Sequence, residues 1–228
     1  MSRHRSGLKR NNGGSPAGRI VLYVTLVLAV AVLNGCNSGD DEDLRTYDTE
    51  IVSDADADGD IGLTLDDTYT VSSAIDTGSV LVGIDPVTGE EFRGFLDFPL
   101  GGADGIPLDA IIDSATLEVY ITGTSDSLPD AIFPFLIDLV TFQPPYLIES
   151  DFNRLAQPAL LTIPVDFYPS DAGSFVDIDV TALVSEAQSE GLPDVQLRLL
   201  LDFSTDSGLI EIDDSDIDRA PLLKVTYY

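Results

Sequence analysis

The chain has 228 residues, 40 of them acidic and 11 basic, and its net charge is −29. Such a charge repels phosphate backbones at long range and argues against a nucleic-acid partner. The only histidine is His4 and the only cysteine is Cys36. Because neither lies in the body of the chain, catalytic triads that need histidine, zinc sites built from His and Cys, and internal disulfides are excluded there.

The N-terminal segment has the layout of a secretory signal. Residues 1–19 carry five basic and no acidic side chains, and residues 20–33 are uncharged and mostly apolar. This apolar stretch is short for a membrane-spanning helix. Residues 33–36, Leu-Asn-Gly-Cys, resemble a bacterial lipoprotein signal. The resemblance implies cleavage after residue 35, lipidation of Cys36 and, with Asn37 rather than Asp next to it, the outer rather than the inner membrane. The alternatives are an uncleaved anchor or a plain secretory signal.

After Cys36 the sequence is acidic and almost without apolar periodicity as far as residue 62. We expect residues 36–62 to be a solvated tether between the lipid anchor and a folded domain at 63–228. Once residues 1–35 are removed, the net charge is −34.

One stretch of this acidic segment matches the first part of an EF-hand-type loop. The carboxylates of Asp54, Asp56 and Asp58 occupy positions 1, 3 and 5, and Gly59 stands where the loop turns sharply. Hard cations prefer oxygen ligands, so we expect these side chains and Asp60 to bind Ca²⁺. The motif is incomplete, because position 12 is Leu65 rather than glutamate. Residues 213–218 form a second acidic cluster and a further candidate. The other explanation for both is an acidic surface suited to a saline habitat.

From residue 63 onward, alternation of apolar and polar residues predicts strands. In chain order they cover residues 68–74, 79–83, 91–98, 114–122, 135–142, 160–165, 175–180, 195–203, 209–212 and 222–227. The clearest is 114–122, where Ala115, Leu117, Val119 and Ile121 share one face. Many short strands bounded by turns predict an all-β fold, an antiparallel jelly-roll-like β-sandwich.

A single segment has helical spacing instead. Residues 182–190 have Ala182, Leu183 and Ala187 at helical spacing, with Asp179 or Thr181 available as the N-cap. Gly191 can end the helix. We expect one short helix with an architectural role.

Four stretches in this order resemble the DNRLRE family, which includes the carbohydrate-binding modules of family 96. They are DTYTVSSA at 67–74, RGFLDF at 93–98, IIDSATLEVY at 111–120, and FVDIDVTALV at 175–184 with PLLKVTY at 221–227. The resemblance covers roughly residues 63–228. It implies a jelly-roll-like sandwich and a non-catalytic module that binds carbohydrate.

Sugar binding usually requires exposed aromatic side chains, and the chain has no tryptophan. The candidates are Tyr146, Phe167 and Tyr168, for which packing within turns is the alternative explanation. Alginate, the ligand of the family 96 modules, is a polyanion that this charge would repel, so a calcium bridge or a neutral glycan would be required.

The expected function is therefore that of a lipoprotein that displays a glycan-binding module in the cell envelope, assisted by Ca²⁺. A structural or assembly protein with a protein partner is the alternative. We do not expect an enzyme, because only a carboxylate pair or a metal-activated water could supply catalysis, and no motif marks either.

Overall fold

The computed structural model describes residues 45–102, 105–125, 132–202 and 208–228. In these ranges the chain is mostly β, with twelve antiparallel strands in one curled sheet and few helices. This confirms the all-β, sandwich-like fold. The predicted signal peptide, Cys36 and Asn37 lie outside the described residues.

The strands agree closely with those predicted from the alternation of the sequence, and two more precede them. They are β1 (Tyr47–Val52), β2 (Gly59–Leu63), β3 (Tyr69–Ser73), β4 (Ser79–Ile84), β5 (Glu91–Pro99), β6 (Ile112–Ser125), β7 (Phe133–Val140), β8 (Leu161–Phe167), β9 (Ser174–Asp179), β10 (Asp194–Leu201), β11 (Leu209–Asp213) and β12 (Leu222–Tyr227).

Hydrogen bonding follows the order β1-β12-β6-β11-β4-β5-β10-β7-β8, with β9 on β6 and β2 between β5 and β3. The sheet curls around one large apolar core, to which β6 contributes alternate residues. Ala115, Leu117, Val119 and Ile121 are all buried there, as their alternation predicts. Among the described residues, β3 pairs with β2 alone, so one of its edges is left free.

The predicted tether at 36–62 is wrong for its second half. Tyr47–Val52 pairs along its whole length with β12, and Gly59–Leu63 pairs with both β3 and β5. The folded unit therefore begins at Arg45 rather than at residue 63. The strand β2 cannot be predicted from alternation, because it is buried on both sides and its polar residues do not alternate with apolar ones.

The predicted helix is present as α3 (Thr181–Ser189), after the single turns α1 (Ala74–Thr77) and α2 (Glu149–Phe152) and a 3₁₀ turn at Pro169–Asp171. Asp179 Oδ1 accepts hydrogen bonds from the Thr181 N–H and hydroxyl at the start of α3. Gly191, at φ +67°, ends it in a Schellman motif. No helix of the described ranges is long and apolar enough to cross a membrane.

Candidate functional site

A groove of about 540 Å³ lies beside the free edge of β3. We call it the β3 groove. It combines exposed apolar side chains with hydroxyls and carboxylates, and its lining comprises Asp56, Asp58, Val71, Ser72, Ser73, Ile75, Asp76, Pro145, Tyr146 and Leu147. Its size is that of an ordinary small-molecule or oligosaccharide site.

One wall of the groove comes from residues 141–160, which join β7 to β8 and which we call the clamped loop. Arg198 of β10 is fully buried beneath this loop and donates to the carbonyl oxygens of Asp151 (2.9 Å) and Gln157 (3.0 Å). The same guanidinium pairs with buried Asp138 of β7 at 2.7 Å. A buried arginine therefore ties the loop to the outer face of the sheet.

A second arginine and a small apolar cluster hold the same loop. Arg93 of β5 donates to the carbonyl oxygen of Phe152, and its guanidinium lies 3.9 Å from the centre of the Phe152 ring. Phe142 and Phe152 pack with Phe95 and other buried residues outside the main core. The loop is thus held in place before any ligand arrives, as a rigid binding site requires.

The three predicted aromatic residues do not form one platform. Tyr146 is 77 % exposed at the β3 groove, whereas Tyr168 is 42 % exposed at the far end of β8. The seven residues of β8 are about 20 Å long, and this strand lies between the clamped loop and Tyr168 in the chain. Phe167 is fully buried and packs edge-on against Phe135 in the main core. The structure therefore removes Phe167 from the candidates, since its place in the β7–β8 hairpin turns it inward.

The four predicted calcium ligands do not converge on one point. Asp58 Oδ1 accepts the N–H of Asp97 in β5 at 2.7 Å, and Asp60 Oδ2 accepts the N–H of Leu81 in β4 at 3.1 Å. Asp54 and Asp56 are exposed. Within the described residues no three acidic, His or Cys side chains are arranged to hold a metal ion together. The EF-hand-like arrangement is thus not formed, because Asp58 and Asp60 are drawn to different strands.

Gly59 also has a different role from the one expected. Its backbone does not adopt a positive φ, so no left-handed turn requires glycine. A Cβ atom there would lie 2.1 Å from the carbonyl oxygen of Ser72. Close approach of β2 to β3 is therefore what requires glycine at this position.

The fold brings together acidic residues that are far apart in sequence. Asp58 interacts electrostatically with Asp214, which follows β11, and accepts a hydrogen bond from the backbone of Asp97 in β5. Asp54 interacts electrostatically with Asp97, Asp194 and Asp214. We call these five residues the carboxylate cluster. Sequence analysis identified the acidic run at 213–218 but not its proximity to Asp58, and it missed Asp97 and Asp194, for which strand pairing is the only signal.

Burial sets the electrostatics of this cluster. Desolvation raises the pKa of Asp97 and of Asp214 to about 6, and neighbouring carboxylates add to both increases. It also raises the pKa of Asp58 well above the usual range, against the opposing effects of Ser53 and the Asp97 N–H. Asp60, which faces Glu90 instead, has a pKa raised to about 6, mainly by burial.

Five of the six basic side chains in residues 45–228 are engaged in ion pairs outside the groove. Arg93 pairs with Glu91, Arg154 and Arg198 pair with Asp138, Arg219 pairs with Asp213, and Lys224 pairs with Glu118. The β3 groove is lined by carboxylates and by no basic residue among those described. Its chemistry suits a neutral, hydroxyl-rich ligand, since a carboxylate accepts hydrogen bonds from hydroxyl groups and repels anions.

Comparison with models of known protein families finds no match, and comparison with curated proteins finds no matching sequence. The resemblance to the DNRLRE family therefore rests on the four stretches of sequence alone.

Proposed function

We propose that the chain is a membrane-anchored lipoprotein whose sandwich-like unit binds a neutral glycan without catalysing a reaction, with Ca²⁺ as cofactor. One observation carries the proposal: Tyr146 is exposed at the rim of a groove that also presents Ser72, Ser73 and Asp76. An aromatic face next to convergent hydroxyls and carboxylates is the arrangement that recognises a sugar ring and its hydroxyl groups. The resemblance to carbohydrate-binding modules points to the same ligand class.

The rigidity of the groove wall supports a binding role. Tyr146 belongs to the clamped loop, which Arg93 and Arg198 fasten to the sheet. A loop whose backbone is already held in place loses little conformational entropy when it binds a ligand. The acidity of the groove supports a neutral glycan over alginate.

Substitution of Tyr146 tests the proposed groove. On an array of neutral and anionic polysaccharides in calcium-containing buffer, we expect the full chain in detergent to bind neutral glycans and not alginate. Tyr146→Ala should weaken that binding at least about tenfold, because truncation of a central aromatic contact removes most of its interaction energy. Tyr168→Ala is the matched control and should bind as the unaltered chain does. Equal losses in both variants would contradict the assignment of the groove.

The free edge of β3 is the feature that favours the alternative function, a structural or assembly protein with a protein partner. Because β3 pairs with β2 alone in the described part of the chain, an extended segment of a partner protein could add a strand beside the β3 groove. If the glycan array is empty and Tyr146→Ala has no effect, a structural or assembly role in the envelope with a protein partner becomes the better proposal.

The lipid anchor has a separate test. We expect the chain expressed in a Gram-negative host to sediment with membranes, mainly the outer membrane, and to require detergent for release. Cys36→Ser should release it into the soluble fraction, since acyl chains on this residue supply stable anchoring. Asn37→Ala leaves the cysteine in place and should remain in the membrane fraction. If Cys36→Ser still requires detergent, an uncleaved anchor replaces the lipoprotein.

A further inference from the structure

Two buried carboxylates, Asp58 in the wall of the β3 groove and Asp214, have oxygen atoms without a hydrogen-bond partner among the described residues. Asp58 is 1 % exposed and Asp214 is 8 % exposed. Asp58 Oδ2 and both carboxylate oxygens of Asp214 have no hydrogen-bond partner within the described residues. The buried Ser53 hydroxyl lies close enough to Asp58 to lower its pKa, but it makes no hydrogen bond of acceptable geometry among the described residues. Native proteins rarely leave such atoms unsatisfied unless something else fills the position.

The backbone fixes both residues where they stand. Asp58 accepts the Asp97 N–H through its other oxygen, and its carbonyl oxygen accepts the N–H of Ala74 at 2.9 Å. The Asp214 N–H donates to the carbonyl oxygen of Gly78 at 3.0 Å. The backbones of both residues are therefore held in position by strands and turns, and the second oxygen of the Asp58 carboxylate is held by the Asp97 N–H.

None of the ion pairs of the described residues involves Asp58 or Asp214. The nearest arginine in sequence, Arg219, pairs with the adjacent Asp213 at 3.4 Å. Asp97 faces Asp58, and Asp54 interacts with Asp214, so the neighbouring charges are negative too. Burial of a charged carboxylate without a cation destabilises the folded state, and the free-energy cost falls when a proton or a metal ion neutralises the charge.

We propose that Asp214 and Asp58, of which Asp58 lines the β3 groove, together bind a divalent cation of the Ca²⁺ class. The ligand set is made only of oxygen atoms, which suits a hard cation and not zinc or copper. Two carboxylates and the Ser53 hydroxyl leave several of the six to eight coordination positions of Ca²⁺ to water, so binding is weak, with a Kd of about 10⁻⁴ to 10⁻³ M.

This inference deepens the proposed function, because it gives the calcium cofactor its ligands, and it replaces the loop at 54–60 as the site. Of the four residues predicted from sequence only Asp58 is retained, and its partner comes from the other end of the fold. Since Asp58 also lines the groove, the cation would be adjacent to a bound glycan. Cation binding itself needs no glycan.

Calorimetric titration of the full chain with CaCl₂ alone, at neutral pH and after treatment with chelator, tests the site. We expect saturable binding and an increase in Tm as calcium is added. Asp58→Asn and Asp214→Asn should each raise the Kd at least about tenfold, since each removes a charged ligand. Two controls should leave the Kd within about twofold: Asp60→Asn, which is buried but faces β4, and Asp218→Asn, which is exposed in the Asp214 loop.

Several results would overturn the inference. Titration to about 10 mM calcium without saturable heat would show that protons alone neutralise the pair. Loss of binding in Asp56→Asn but not in Asp214→Asn would return the site to the loop. Asp214→Asn decides the outcome even if Asp58→Asn fails to fold, because the Asp214 side chain makes no hydrogen bond within the described residues. Calcium binding with an empty glycan array would refute the glycan and leave the cation site standing.

Discussion

Replacement of Arg198 by methionine is expected to lower the free energy of unfolding by about 3 to 5 kcal/mol. The substitution leaves Asp138 buried without its closest cation and removes the donors to the carbonyl oxygens of Asp151 and Gln157. Arg198→Lys should recover only part of the loss, since one ammonium group cannot reproduce the forked geometry of a guanidinium. Chemical denaturation followed by circular dichroism measures the change.

Arg154→Ala is the control for this prediction. Arg154 also pairs with Asp138, at 2.9 Å, but its side chain is partly exposed. Its removal should cost about 1 kcal/mol or less. If both variants lose the same stability, the buried position of Arg198 has no special importance. Because the clamped loop carries Tyr146, Arg198→Met should also weaken glycan binding, whereas Arg154→Ala should largely retain it.

The metal-free chain is expected to be more stable near pH 5 than near pH 7.5, by about 3 kcal/mol in total. Burial raises the pKa of Asp60, Asp97 and Asp214 to about 6 and that of Asp58 well above its usual range. Between roughly pH 4 and pH 6 the folded state therefore binds more protons than the unfolded state, so stability falls as the pH rises. Single contributions do not add, because the groups interact.

Two exposed aspartates have the opposite effect on the pH dependence of stability. Hydrogen bonds lower the pKa of the exposed Asp85 and Asp179, so their small stabilisation is lost as the pH falls. Thermal denaturation in the presence of a chelator, across this pH range, measures the net effect. The double variant with Asp58→Asn and Asp214→Asn should have a flatter profile, whereas Asp218→Asn should follow the unaltered chain. Stability that increases towards neutral pH in the metal-free chain would contradict the prediction.

Strands with a clean alternation could be placed from sequence to within a few residues. The pattern of β6 identifies its buried face, and the same holds for helix α3, whose end is marked by Gly191. These signals are local: a period of two or 3.6 residues and a glycine at a positive φ are properties of a single segment. β1 could not be predicted because its acidic residues are exposed and only Ile51 is buried, and β2 could not because the burial of Asp60 depends on its partner strands.

Part of the candidate site could also be predicted from local sequence, and part depends on the tertiary structure. Tyr146 could be identified from sequence as an exposed loop aromatic, but nothing local distinguishes it from Phe167, which the β7–β8 hairpin buries. The acidic runs around residues 54–60 and 213–218 are evident as composition. The pairing of strands determines which groups these carboxylates contact. Asp58 interacts with Asp97 and Asp214, whereas Asp60 accepts a hydrogen bond from Leu81.

The sequence by itself determined the all-β class, most strand positions, the acidity that disfavours anionic ligands, and the single cysteine behind an apolar leader. The tertiary structure alone decided where the folded unit begins, which aromatic residue reaches the β3 groove, and which carboxylates are buried together. The physical reason is the sequence separation of the interacting residues. Backbone periodicity and charge are properties of a single segment, whereas burial and electrostatic coupling arise between segments that only the long-range pairing of strands brings into contact.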